Sequence, residues 1–235
     1  TYVPDEPDAE KVDKEWFSHT RFGDLLKHSV LKSSGDTLTD GYDYKYCRQT
    51  LLAKHSRLLN GKILDMEELV YDSVRNGRCM LYMPTQILKG IPGKMEIRTR
   101  YSHYDTYGNP TVRDEDGVVT IYLWGYRGQY PVAKIENSTY AEVQQALGRL
   151  PESCSSAITY ESVVATLREK LFGARVSTSK YLFSVGLTGK TDPAGRQMEY
   201  NYDSQGRLIE TCRFNEQGQR NLTGFHQYHL VNESN

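Results

Sequence analysis

"TDPAGRQMEYNYDSQGRLIETCRFNEQGQ", residues 191 to 219, carries the same punctuation three times. Asp192-Pro-Ala-Gly195, Asp203-Ser-Gln-Gly206 and Asn215-Glu-Gln-Gly218 each open on a side chain that can accept a bond from the backbone two residues on. Each closes on a glycine, which takes positive φ without strain. The glycines stand 11 and 12 residues apart. Between them, "RQMEYNY" and "RLIETCRF" are strand-length and alternate in polarity, so the spacing predicts a run of antiparallel hairpins.

The same signal recurs upstream. "YDTYGNPTV", from Tyr104 to Val112, sets Tyr104, Asp105 and Gly108 in the positions that Tyr202, Asp203 and Gly206 hold later. "KMEIRTRYSHY" puts Met95, Ile97, Thr99 and Tyr101 on one face and charged residues on the other, a strand with one wet side. "YDYKYC" places Tyr42, Tyr44 and Tyr46 together, and "VVTIYLW", apolar on both faces, reads as a central or doubly covered strand. "KILDMEELVYDSV" fits strand or helix; "RNG" after it reads as a hairpin turn into "RCMLYMPTQIL" and favours strand.

Two segments change period. In "STYAEVQQALG", Thr139 with Glu142 forms a capping box and Gly148 stands at the C-terminal cap. In "TYESVVATLREKLFG", Thr159 can cap, Val163, Leu167 and Leu171 recur at helical spacing, and Gly173 ends the run. Pro151 and its serines connect the two. The expected fold is mainly β: a hairpin array forming a curved open sheet, with a two-helix insertion at about 139–173. Its sections are an N-terminal arm or linker over 1–40, hairpin repeats over 41–136, the helical insertion over 137–175 and further repeats over 176–235. In the first section, the acidic "TYVPDEPDAEKVDKE" reads as an extended arm, 16–35 show no clear period, and "KSSGDTLTDG" reads as a loop.

The bulk composition excludes several classes. Twenty-nine basic against 30 acidic side chains supply no concentrated positive field, so nucleic acid is not expected as the partner. No apolar run approaches the roughly 18 residues of a membrane span. The chain opens on Thr1 without a visible signal peptide, so it is expected to be processed or part of something longer. Eighteen tyrosines against six phenylalanines suit half-buried sheet faces, where the ring packs and the hydroxyl reaches water or a neighbour. Cys47, Cys79, Cys154 and Cys212 are scattered without metal-ligand spacing.

Tyr202-Asp203-x-x-Gly206-Arg207-Leu208, preceded by "YNY" and followed by "RFNEQGQ", resembles a YD repeat of the RHS (rearrangement hotspot) family. "YDTYGNP…DGVVTIYLWGYRGQYPVAKIENSTYAEV" is similar to RHS-repeat proteins of Bacteroidetes, where a "YD.YGNP" turn, a "YLWGY.GQYP" strand and a helical insertion follow in that order. The resemblance covers roughly residues 80 to 230. It implies a non-enzymatic scaffold or binding module, a section of a secreted or cell-surface protein. It also implies an extracellular or cell-surface location, and as an alternative the repeat portion of a toxin-delivery protein. A closed shell needs more repeats than this chain holds, so its open strand edges are expected to meet another protein subunit or the remainder of a longer chain.

No pattern of catalytic residues, cofactor loop or metal-ligand set emerges, so no enzyme, cofactor or metal is expected. His226 and His229 fall on opposite faces of a strand, and His103 beside Asp105 lacks a nucleophile motif. "RDEDGVV" lacks the ligand spacing of a calcium loop and reads as a hairpin turn; "GLTGKT" lacks the phosphate-loop spacing. One constellation has binding chemistry. Tyr122, Trp124 and Tyr126 are spaced to share a strand face, with Tyr130 nearby, as either a stripe holding the sheet to the helices or a platform for a glycan ring or partner strand. Gly125 and Gly128 beside them suggest a bulge or tight bend.

Overall fold

A computed structural model of the chain describes residues 14–47, 49–76, 79–156 and 166–228. Fifteen strands are hydrogen-bonded in chain order, each to the next. The fold is therefore mainly β, an antiparallel meander that does not close on itself among the described residues. The chain divides into two compact units, one of residues up to 73 with 82–100, the other of 74–81 with 101 onward.

Strands β1 (Lys14–His19), β2 (Leu25–Leu31), β3 (Thr37–Tyr46) and β4 (Thr50–Leu59) belong to the first unit. They correct the reading of residues 14–40 as arm and loop; residues 1–13 lie outside the described part. Strands β5 (Lys62–Asn76), β6 (Cys79–Ile91) and β7 (Lys94–Tyr104) follow, so "KILDMEELVYDSV" is strand. Its expected turn falls at 77–78, outside the described residues. On β7, Met95, Ile97 and Tyr101 are half-buried and Thr99 buried, while Lys94, Glu96, Arg98 and Arg100 are exposed, as the alternation predicts.

One face of the first unit repeats a polar device. Phe17 stands opposite His28 and stacks on it at 4.6 Å, while Glu15 pairs with the same imidazole at 3.3 Å. Two strands on, Tyr42 stacks on His55 at 4.9 Å and Asp40 bonds its Nε2 at 2.9 Å. In each copy the carboxylate lies two residues before the ring, which is the spacing that puts both on one face.

The second unit holds β8 (Pro110–Glu115), β9 (Val118–Gly125), β10 (Tyr130–Glu136), β11 (Arg175–Leu182), β12 (Gly186–Thr191), β13 (Gln197–Tyr202), β14 (Leu208–Phe214) and β15 (Arg220–Phe225). The helical insertion follows β10. Helix α1 (Tyr140–Leu147) has the capping box of Thr139 with Glu142, and Gly148 closes it at φ 67°. Residues 151–156 form a 3₁₀ turn and 166–170 are helical; Thr159 and Val163 lie outside the described residues. Val143 and Leu167 from this insertion pack against Ile121, Leu123, Val132, Ala133, Ile135 and Val176, which form the buried core. Burial of that face is what anchors a helix too short to be stable alone.

Strand β9 is central but not covered on both sides. Ile121 and Leu123 are fully buried on the helix-facing side, whereas Tyr122 and Trp124 opposite them remain half-buried. Four of the eighteen tyrosines show a structural use for the hydroxyl. The hydroxyls of Tyr44, Tyr71, Tyr202 and Tyr228 each donate to a leucine carbonyl on the adjacent strand: Leu25, Leu52, Leu187 and Leu208. Phenylalanine would leave those carbonyl lone pairs without a partner. Burial pushes the hydroxyls of Tyr44, Tyr71 and Tyr202 above the usual phenol range.

Candidate functional site

The singled-out turns share one geometry. The glycine N–H donates to the carbonyl three residues back, and the first residue's N–H donates to the carbonyl four residues on. Asp203 Oδ1 then accepts from the N–H groups of Gln205 and Arg207, both at 2.9 Å. Asp105 Oδ1 does the same for Tyr107 and Asn109, and Asn215 Oδ1 for Gln217 and Gln219. Asp192 Oδ1 accepts from Arg196 N–H at 2.9 Å. The first and fifth side chains close the ring: Arg207 Nε on Asp203 Oδ2 at 2.7 Å, Arg196 on Asp192, and Asn109 Nδ2 on Asp105 Oδ2 at 3.1 Å. The Arg207 N–H holds the Asp203 carboxyl below the usual carboxylate range against its partial burial, with the Arg207 side chain assisting.

Two further copies escaped the sequence reading. Thr20 to Asp24 and Lys32 to Asp36 carry the same backbone pair of bonds around Gly23 and Gly35. Thr20 Oγ1 replaces the carboxylate oxygen, accepting from Phe22 and Asp24 N–H at 3.1 Å each. At Lys32 no such acceptor exists, and Ser34 Oγ bonds Asp36 instead. Their detectable signal was the glycine interval of 12 residues, which matches the C-terminal repeats.

The motif "YDTYGNP" is docked onto the loop "GYRGQ" after β9. Asn109 Nδ2 donates to the Gly128 carbonyl at 2.7 Å, and Trp124 Nε1 donates to the Pro110 carbonyl at 3.0 Å. A Cβ at Gly128, where φ is +75°, would lie 2.5 Å from the Tyr107 ring. A Cβ at Gly125 would meet Val132 at 2.5 Å, beside the register shift between Pro131 and Ala133. The two glycines thus mark close approach and a bulge, as expected.

The four aromatic residues do not form a single row. Tyr122 stands opposite Lys134 and Trp124 opposite Pro131, on the face away from the core. Strand β9 ends at Gly125, and Tyr126 takes φ +51°, which breaks the period-two alternation. Tyr126 instead packs against the core and meets Tyr130 and Tyr181 edge-on at 5.7 and 5.9 Å, its hydroxyl accepting from Tyr181 N–H at 2.9 Å. Tyr130 stacks on Tyr181 at 4.4 Å, a partner that sequence spacing did not link to it. Neither the shared face nor the stripe beneath the helices is what the chain forms.

Other candidates resolve into architecture. His103, at φ +56°, stacks on Tyr140 at 4.1 Å rather than pairing with Asp105, whose oxygens serve the turn. Burial, with the bond from Tyr140 to Glu152 at 2.7 Å, pushes the Tyr140 hydroxyl well above the usual phenol range. Asp114 Oδ1 accepts from Gly117 N–H at 2.9 Å within the β8–β9 hairpin, and "GLTGKT" is strand β12. His226 follows β15, its N–H bonded to the Ile209 carbonyl; His229 lies outside the described residues.

No family model matches the chain, and no curated protein is similar to it in sequence. Among solved structures it is similar to TcdB2-TccC3-Cdc42 at 9% identity and TM-score 0.42, over 89% of this chain and 15% of that one. It is similar to TcdB2-TccC3 without its hypervariable C-terminal region at 10% and 0.43, over 86% and 12%. A porin-like protein from Bacteroides uniformis ATCC 8492 matches at 11% and 0.20, over 92% and 89%. The chain spans 15% or less of the TcdB2-TccC3 chains. At these scores the likenesses carry no argument about activity.

Proposed function

We propose that this chain is a non-enzymatic section of an RHS/YD-repeat protein, a scaffold whose strand edges and sheet faces meet another protein subunit or the rest of a longer chain. The observation that carries this reading is the repetition of one five-residue turn, with its polar side chains bound to their own backbone. In these turns the carboxylate and amide oxygens accept from the turn's own backbone N–H groups, the bonding of a shape-setting role. A secreted or cell-surface setting belongs to the same reading.

The test is the intact mass of the species that carries these residues in its native cell, with its cellular fraction recorded. A species much larger than these 235 residues, in a secreted or outer-surface fraction, is the expected result. A free species of this size in the cell interior would overturn the reading. If the larger species ends in a segment that arrests growth when expressed alone, the chain is the carrier portion of a toxin-delivery protein.

A further inference from the structure

We infer that one rim of the second unit, formed by its hairpin tips, docks peripherally on an anionic phospholipid bilayer. In an antiparallel meander every second connection returns to the same side. The turns at 105–109, 126–129, 183–185 and 203–207 therefore share a rim with residues 226–228, which follow β15. Contacts between neighbouring tips join them. The Tyr107 ring lies against Gly128, and Tyr126 and Tyr130 meet Tyr181. The Tyr202 hydroxyl reaches the Leu187 carbonyl, and the Tyr228 hydroxyl that of Leu208. Along this rim Tyr107, Leu182, Phe183, Phe225 and Tyr228 are exposed.

The charge along the rim suits acidic headgroups. Its segments, 102–109, 125–130, 180–187, 202–208 and 225–228, carry the cations Arg127, Lys180 and Arg207 and the carboxylates Asp105 and Asp203. Both carboxylates are bound into their own turns, and the Arg207 guanidinium lies over the Tyr228 ring at 4.7 Å. Arg127 and Lys180 are exposed. On the opposite rim apolar exposure comes with acid. Val118 and Phe172 are exposed there, but Glu142 lines the hollow that each one borders, joined by Glu136 beside Val118.

A bilayer surface fits this rim better than a protein core. The headgroup zone takes amphipathic rings and cations side by side, and the apolar residues here stand on separate turns with polar turns between them. Backbone entering that zone needs its polar groups bonded internally. The Asp105 and Asp203 turns meet the condition, with their first N–H, their first carbonyl and their glycine N–H all bonded within the turn. The sharpest anchor is Leu182-Phe183, two apolar side chains on one tight turn closed by the Val185 N–H on the Leu182 carbonyl at 3.1 Å. This inference concerns the turn tips rather than the strand edges and sheet faces, and it does not depend on the scaffold reading.

The test sediments the whole chain with vesicles of phosphatidylcholine alone and of phosphatidylcholine mixed with phosphatidylglycerol. Binding is expected to the mixed vesicles and much less to the neutral ones, falling as salt rises. Leu182→Ser with Phe183→Ser should lower affinity about tenfold, with the melting temperature unchanged because both side chains are exposed. Phe172→Ser, at the 93% exposed position on the opposite rim, should leave binding intact. Phe183→Trp should retain binding, and lipids brominated on the acyl chain should quench its fluorescence. Absence of binding to the mixed vesicles at physiological salt, equal affinity in the double variant, an equal loss in Phe172→Ser, or an unquenched Phe183→Trp would overturn the inference. So would a double variant that breaks up an oligomer and leaves vesicle binding as it was.

Discussion

Asn109 and Gly128 are joined by a 2.7 Å bond from a side-chain amide to a backbone carbonyl, which pins one turn onto the loop of a later hairpin. Beside it, the Tyr107 ring occupies the place where any side chain on residue 128 would begin. Gly128→Ala should destabilise the second unit by about 2–4 kcal/mol, from both the positive φ and the clash. Tyr107→Ala in the same chain should recover part of that loss, which urea unfolding of the four members of the cycle would read as non-additivity.

Asp203 and Asn215 hold equivalent turns with a carboxylate and an amide. Asp203→Asn should therefore keep the turn near neutral pH, whereas Asp203→Ala removes the acceptor and should lower the melting temperature further. The folded-state carboxyls of Asp192, Asp203 and Glu210 are all held below their usual range. Between the folded and unfolded values the unfolded chain binds more protons, so stability rises with pH. It should be flat above about pH 5 and fall below about pH 4; Asp203→Asn should shallow that fall.

Trp124 donates to the Pro110 carbonyl and faces away from the core. Trp124→Phe should cost about 1 kcal/mol for that bond and leave the fold intact. Trp124→Ala should cost about 2–3 kcal/mol, reporting a residue that fixes the docked turn. A glycan platform would instead lose binding with no change in melting temperature.

Thr111 is fully buried, and its hydroxyl has no hydrogen-bond partner among the described residues. Thr111→Val removes the orphan oxygen at nearly constant volume. It should stabilise the chain by up to about 1 kcal/mol, seen as a raised denaturation midpoint with unchanged slope.

Cys47 is exposed, whereas Cys154 and Cys212 are buried, and all three are free thiols. Burial pushes the Cys154 thiol up to about 11, with Arg149 partly opposing and Glu152 reinforcing the shift. Alkylation at neutral pH should modify Cys47 within minutes and spare Cys154 and Cys212 until denaturant is added. Mass mapping of the labelled peptides would show the order.

What was legible in the sequence was local. Asp-x-x-Gly turns announce themselves because acceptor and glycine stand three residues apart, and α1 because Thr139, Glu142 and Gly148 supply both caps. The strands over 14–40 were missed because Thr20 and Lys32 open their turns without a carboxylate. The aromatic row failed for a different reason: Tyr126, Arg127 and Gly128 all take positive φ, and no period survives three such residues. The rim of Tyr107, Phe183 and Tyr228 depends on every second turn of the meander returning to one side, which residues so far apart in the chain do not disclose.

Each turn of the Asp203 type carries its closing bonds among five consecutive residues. A hairpin closed in this way brings its own turn chemistry with it. Duplicating or deleting a whole one changes the number of strands yet preserves which side every remaining residue faces, whereas inserting a single residue mid-strand inverts everything beyond it up to the next turn. Gene rearrangements that respect the 11- or 12-residue interval are therefore tolerated, and sheet length becomes a quantity that recombination can adjust without redesigning any strand.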